Sequence, residues 1–265
     1  MIKLNNGVLM PRLGFGTWQL NDAQDGEAAV ASAISNGYRM IDTAPSYKNE
    51  SAVGRAINGS EIDRSELFII TKLPSEDQGF DSTLAAFDKS LERLNLDYID
   101  LYLIHHPTGY TQRYLDSWRA MEQLHESGKV RAIGVSNFWP AQIEQILSAG
   151  KVKPAINQIQ TNPYRQQKAI RKYCTSNYIA VQSSTPLAEG GELLTDTTIL
   201  ETAQKYQKSP AQIILRWHMQ NGLTPVAKAS SPAHQKQNLD LFSLELDLDD
   251  MSKISQLDRQ KIPKV

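Results

Sequence analysis

Three short apolar runs each stop at one ionisable side chain, and this pattern constrains the fold more than any other feature of the chain. Arg39-Met40-Ile41 ends at Asp42, Leu67-Phe68-Ile69-Ile70-Thr71 at Lys72, and Leu101-Tyr102-Leu103-Ile104 at His105. Runs this short, bounded by turn residues and separated by helical patterns, read as buried parallel strands. In a strand–helix barrel the C-terminal strand ends gather round one mouth, where catalytic groups sit. Asp42, Lys72 and His105 are therefore expected to be neighbours in space, although 30 and 33 positions separate them along the chain. Tyr47, in the loop Thr43-Ala44-Pro45-Ser46-Tyr47, hangs over the same mouth. An acidic group, a cation, an imidazole and a phenol at one rim make a proton-handling site.

The alternation runs the length of the chain. Residues 1–12 read as a β-hairpin turning at Asn5-Asn6-Gly7. Strands are expected near 13, 39, 67, 100, 131, 156, 179 and 223. Between them lie amphipathic helices at 25–36, from Asp81 or Ser82 to Leu94, around Leu115 to Leu124, at 140–147, 165–175 and 197–206, and from Pro210 to Gln220. Ser209-Pro210 is an N-cap followed by proline at N1, and Gly37 and Gly222 suit helix ends. A last helix from Asp247 to Asp258 packs outside. A doubly wound sheet is the rival architecture, but eight strand–helix units favour one closed (β/α)8 TIM barrel over residues 1–265, with an N-terminal β-hairpin and a short helical tail.

Bulk properties exclude several classes of function. A net charge of −1 gives no electrostatic case for nucleic acid or an anionic membrane. Cys174 is the only cysteine, which rules out an internal disulfide and fits a reducing compartment. The N-terminus carries no secretory apolar core and no 18-residue apolar stretch occurs, so a cytoplasmic location is expected. No set of His, Cys and carboxylates has metal-ligand spacing, so no metal is expected. The oligomeric state stays open and is compatible with a monomer.

The later strands also end in hydrogen-bonding residues: Ser136-Asn137, Asn157-Gln158, Gln182-Ser183-Ser184 and Lys228. Amides and hydroxyls can grip a carboxamide, and a lysine can grip a phosphate. The Rossmann fingerprint is absent: Gly14-Phe15-Gly16 begins like one, but Gln19 stands where the third glycine belongs. No Walker sequence is present. A dinucleotide, if bound, must lie across the barrel mouth.

Asp42-Thr43-Ala44 with Tyr47 and Asn49-Glu50, then Thr71-Lys72-Leu73, Asp100 to His105, and Gly134-Val135-Ser136-Asn137-Phe138 together resemble the aldo-keto reductase family. The resemblance runs from the hairpin to about Asn238, and the short loops are similar to those of bacterial members. It implies a barrel that reduces aldehydes and ketones with NADP(H), less often NAD(H). On that resemblance Tyr47 would be the general acid, Lys72 would lower its pKa, Asp42 would pair with Lys72, and His105 would orient the carbonyl. Ser136, Asn137 and Gln158 would hold the nicotinamide carboxamide. Gly16, Thr17, Asp42, Ser184, Leu187, Lys228, His234, Gln237 and Asn238 would make further cofactor contacts. Trp18, Tyr47, His105 and His106 would meet a small carbonyl substrate such as an aldehyde, a keto sugar or a dicarbonyl.

The chain departs from the family pattern in three places. Ser184 stands where a ring usually stacks on the nicotinamide, and His106 stands where a tryptophan usually follows the histidine. Ala229 and His234 replace a serine and an arginine at the 2′-phosphate site, so a weakened NADPH preference is expected. His106 directly follows His105 and is expected to point elsewhere on an extended chain.

Bland readings stand beside these. A buried Asp–Lys pair is often structural, but Tyr47, His105 and the shared strand-end positions together favour chemistry. His125, His218 and a half-buried Cys174 read as surface or packing residues. Lys228 and His234 could lie in a solvated loop, but with Asn238 they favour a cofactor site. Two other functions compete: a Schiff-base lyase or aldolase on Lys72, which Asp42 should keep protonated, and a non-catalytic nicotinamide sensor.

Overall fold

A computed structural model describes residues 1–20 and 25–259. The described residues close into a barrel of eight parallel strands in chain order, the last strand pairing with the first. A hairpin of β1 (Ile2–Lys3) and β2 (Leu9–Met10) precedes it. The barrel strands are β3 (Gly14–Gly16), β4 (Met40–Asp42), β5 (Phe68–Leu73), β6 (Ile99–Ile104), β7 (Val130–Ser136), β8 (Ile156–Gln160), β9 (Ala180–Ser184) and β10 (Thr224–Ala227).

Strand periodicity explains the site. Side chains alternate between the barrel interior and the helix-facing surface. Met40, Phe68, Ile70, Leu101 and Leu103 share one apolar cluster with Leu4 and Met10 of the hairpin, which plugs the bottom. Ile41, Ile69, Tyr102 and Ile104 face the other way, into the layer between strands and helices. Continuing the inward set by two gives Asp42, Lys72 and His105. Each ionisable group therefore falls on the inward face where its apolar run ends, above the plugged core.

The helices are α1 (Asp25–Asn36), α2 (Glu50–Asn58), α3 (Phe80–Leu94), α4 (Thr111–Glu126), α5 (Pro140–Ala149), α6 (Lys168–Ser176), α7 (Thr197–Tyr206) and α8 (Pro210–Gln220). After β10 come α9 (Pro232–Leu239) and α10 (Leu248–Ser255). Ser209 caps α8 with a capping box, as its sequence predicts. Asp247 caps α10, whose Ile254 packs with Ile213 and Trp217 of α8.

The structure differs from the sequence reading in a few elements. The N-cap of α3 is Gly79 at φ 132°, not Asp81 or Ser82, and Asp81 lies in the first turn. Helices α2 and α9 are additions; α9 is mostly polar and carries little apolar periodicity to reveal it. Gly54 explains how α2 fits, since an added Cβ would stand 2.3 Å from the Leu94 carbonyl oxygen. Cys174 is fully buried rather than half-buried, with its sulfur beside the Asn157 amide. His218 is also fully buried, between Ser183 Oγ (3.1 Å) and the Pro186 carbonyl (3.3 Å).

Candidate active site

Lys72 anchors the mouth. Its ammonium is fully buried and donates to Asp42 Oδ1 (2.6 Å), the Thr43 carbonyl (3.0 Å) and Tyr47 Oη (3.2 Å). Those three bonds use every donor that an ammonium has. The second oxygen of Asp42 accepts from Gln158 Nε2 at 2.7 Å, and the same nitrogen lies 2.6 Å from Gln182 Oε1. Four barrel strands thus contribute to one buried chain of polar groups that surfaces at the Tyr47 phenol.

The loop carrying Tyr47 is a single 3-10 turn, Pro45–Tyr47, with proline fixing its first residue. Asn49, the residue before α2, does not cap that helix. Its amide instead donates to the Thr17 (2.8 Å) and Leu20 (2.9 Å) carbonyls and accepts from Thr43 Oγ1 (2.9 Å). The loop after β3 is thereby tied to the loop that presents the phenol.

Burial raises the Tyr47 pKa; the nearby Lys72 charge opposes this and Asp42 adds to it. The ammonium pulls the phenol down, as expected, but desolvation of the phenolate outweighs it and the net shift is upward. Burial likewise works against the Lys72 charge, yet Asp42 and Tyr47 leave its pKa raised. His105 is lowered to about 3 by burial first, then by Lys72 and His106. Its imidazole is neutral at physiological pH and stands edge-on to Tyr47, with centroids 5.8 Å apart. The ring is held by Ser46 Oγ near Nδ1 (3.4 Å).

The phenol and both imidazoles open onto a cavity of about 860 Å³. Gly16, Trp18, Asp42, Tyr47, His105, His106, Ser136, Asn137 and Gln158 line one part of it. Ser184, Leu187, Lys228, His234, Gln237 and Asn238 line the rest. Two predicted residues stay off the wall. Lys72 acts from behind Tyr47. Thr17 is fully buried, with its hydroxyl on the Asp42 carbonyl (3.0 Å).

The expectation for His106 is corrected: its ring stacks on His105 at 4.6 Å and 20° instead of pointing away. The chain bends there, after β6 has ended, so strict alternation no longer applies. The His105 carbonyl accepts from Asn137 Nδ2 (3.0 Å) and the His106 carbonyl from Gln78 Nε2 (2.6 Å).

Sequence reasoning missed several groups. Gln182, read from sequence only as a strand-end hydrogen-bonding residue, supports Gln158 from below, and strand alternation could have indicated this, because Gln182 and Ser184 face the same way on β9. Gln19 accepts from Lys228 Nζ at 2.9 Å across the mouth. Ser46, Thr185, Pro186 and Glu189 also reach the cavity. Thr185, Ala188 and Glu189 adopt positive φ, a conformation that nothing in their types announces.

Comparison with known proteins then decides the family. The model of the aldo/keto reductase family matches residues 12–259. The chain belongs to the aldo/keto reductase family. Among its relatives is a glyoxal reductase of Bacillus subtilis, 45% identical over 260 residues, covering 98% of this chain and 93% of the relative. Methylglyoxal reductase DkgA of Yersinia pestis is 41% identical over 259 residues, covering 97% and 92%. A crystal structure of an aldo/keto reductase from Brucella melitensis matches with a TM-score of 0.94 at 45% identity, over 97% of this chain and 98% of that one. A variant of the protein Gox0644 solved in complex with NADPH matches at 0.93 and 40% identity, over 98% and 93%. Aldo/keto reductases act on carbonyl groups, and the barrel mouth described above is where such a reaction fits. No helix among the described residues is long and apolar enough to cross a membrane.

Proposed function

We propose that this aldo/keto reductase reduces small aldehydes and ketones to alcohols, with NADPH as the preferred donor and NADH as the weaker one. The observation that carries the reading is the 3.2 Å contact between Lys72 Nζ and Tyr47 Oη at the wall of a cavity that extends to Lys228 and His234. The donor set fits a nicotinamide dinucleotide. The nitrogens of Asn137 and Gln158 are committed inside the protein, which leaves their amide oxygens to accept from a carboxamide NH2. Ser136 can meet the carboxamide oxygen, and the exposed Lys228 offers a cation for phosphate. Pro186 and Leu187 supply apolar wall beside Ser184, where no ring is present to stack.

When bound, the reduced nicotinamide supplies the hydride that reaches the carbonyl carbon. The remaining work falls to the chain. Tyr47 gives its proton to the carbonyl oxygen as negative charge builds there, so the C=O bond becomes a C–O–H. Lys72 then faces the phenolate that is left and stabilises it. Neutral His105 donates one N–H to the same oxygen and sets its direction. Asp42, gripped by Gln158, keeps the ammonium charged and in place. The three hydrogen bonds on Lys72, and its position behind the phenol, argue against a free amine poised for a Schiff base. The buried, free Cys174 suits a reducing compartment, and the cytoplasm is the proposed location.

The reading is tested by following NADPH and NADH consumption with a panel of simple aldehydes, keto sugars and dicarbonyls. Rapid oxidation of NADPH with several of them is expected. Tight cofactor binding without turnover on any of them would replace the reductase with a cofactor sensor.

A further inference from the structure

One buried imidazole spans the root of the loop that walls the cavity after β9. His218, near the end of α8, is fully buried between Ser183 Oγ (3.1 Å) and the Pro186 carbonyl (3.3 Å). Strand alternation explains the reach: Gln182 and Ser184 face the barrel interior, so Ser183 faces the helices. Burial lowers His218 to about 3, so the ring is neutral and carries one N–H. A carbonyl only accepts, which puts that hydrogen on Nε2, toward Pro186; Nδ1 then accepts from the Ser183 hydroxyl. Both ring nitrogens are used inside the protein, and His218 itself lines no part of the cavity.

Between the two gripped residues lie Ser184 and Thr185. Thr185 sits at φ 52°, in the left-handed region, which is an outlier for a β-branched side chain. Such a conformation persists only where its surroundings over-determine it. The Ala188 amide, donating to the Thr185 carbonyl (3.1 Å), closes the turn from one side, and the imidazole holds it from the other. The turn shapes the cavity, because Ser184, Thr185, Pro186 and Leu187 all line it. We propose that His218 is a positioning residue: by gripping Ser183 and Pro186 it holds the strained turn at Thr185 in the shape that receives the dinucleotide. The inference rests on the cofactor reading proposed above. Without the clamp the turn relaxes in part of the population, and the apparent cofactor affinity falls with the fraction that keeps the binding shape.

The test is fluorescence titration of the folded variants with NADPH and NADH. His218→Phe, which fills the space without a hydrogen bond, is expected to weaken both cofactors about five-fold, the scale of one neutral hydrogen bond, with kcat at saturating NADPH within about two-fold of wild type. Adding Thr185→Asn, whose side chain tolerates the left-handed region, is expected to return most of the lost affinity, because the turn no longer has to be forced. A general packing defect at His218 would not be repaired by a change at Thr185. If His218→Phe does not fold, His218→Gln and His218→Asn read the same point. The first can still donate to Pro186 and is expected to bind NADPH more tightly than the second, which reaches only Ser183. Unchanged affinity in His218→Phe, no recovery on adding Thr185→Asn, or His218→Gln no tighter than His218→Asn would overturn the assignment. A wild type that binds neither cofactor would instead overturn the cofactor reading, before any variant is measured.

Discussion

Asp100, near the start of β6, and Asp42, at the end of β4, are both buried carboxylates paired with cations, and their surroundings differ in an instructive way. Asp100 takes Arg64 (2.7 Å), Arg131 (2.7 Å) and the Ile69 amide (2.9 Å), and it lies on no wall of the cavity. Both of its arginines reach solvent, so the arrangement ends in water and ties β6 to its neighbours. Asp42 takes a lysine with no exposure at all, and that lysine ends on a phenol facing the cavity. Burial of a charge pair alone therefore says little about chemistry. What separates the two ends is whether the chain of charge stops at a group that can move a proton.

The contrast can be broken at either end. The largest effect is expected from Lys72→Met, which should lower kcat by about 10²-fold or more, since the phenolate left by proton transfer loses its counter-charge. Borohydride trapping with substrate should give no adduct on wild-type Lys72, and mass spectrometry showing one would favour the Schiff-base alternative. At the other end, Asp100→Asn should cost about 3 kcal/mol of stability, the lower end for a broken buried pair because its arginines can be solvated. Urea unfolding reads that loss, while kcat of the folded enzyme should stay within about two-fold.

The pH profile sharpens the same contrast. In the proposed mechanism, reduction needs Tyr47 protonated and His105 neutral. A raised phenol stays protonated through neutrality, and an imidazole lowered to about 3 is neutral above that value. Reductive kcat should then be flat from about pH 5 to 9, a window that contains the ordinary histidine pKa and stops short of the ordinary phenol pKa. A limb near the ordinary histidine pKa would show that His105 is not shielded as described. The smallest effect is expected from His234→Arg, which restores a bidentate charge at the rim. It should tighten NADPH by a few-fold, about 1 kcal/mol, and leave NADH nearly untouched, as cofactor fluorescence titration would show. NADH bound more tightly than NADPH by the wild type would mean that the phosphate site is lost.

The two ends also mark what could be read from sequence. The barrel, and Asp42, Lys72 and His105 at its mouth, were legible because strand period and strand length act locally. An inward apolar run that ends in a charge announces both its direction and its end. Tyr47 followed from its distance to Asp42. What was not legible depends on contacts between distant segments. The stacking of His106 on His105 depends on Gln78 and Asn137 holding the bend. The burial of Thr17 depends on the Asp42 carbonyl, and the reach of Lys228 on Gln19. The direction of the Tyr47 shift depended on how deeply the fold buries the phenol, and the charges beside it do not reveal that.

The central claim is that Tyr47 delivers the proton from the end of the Asp42–Lys72 chain. It is tested most directly by Tyr47→Phe, which removes one oxygen and leaves the ring. Pre-steady-state NADPH oxidation with an aldehyde should fall by at least about 10²-fold, while NADPH affinity and urea stability change little. A variant that keeps more than about a tenth of the wild-type rate would show that the proton comes from elsewhere, since acid catalysis alone accounts for a larger factor.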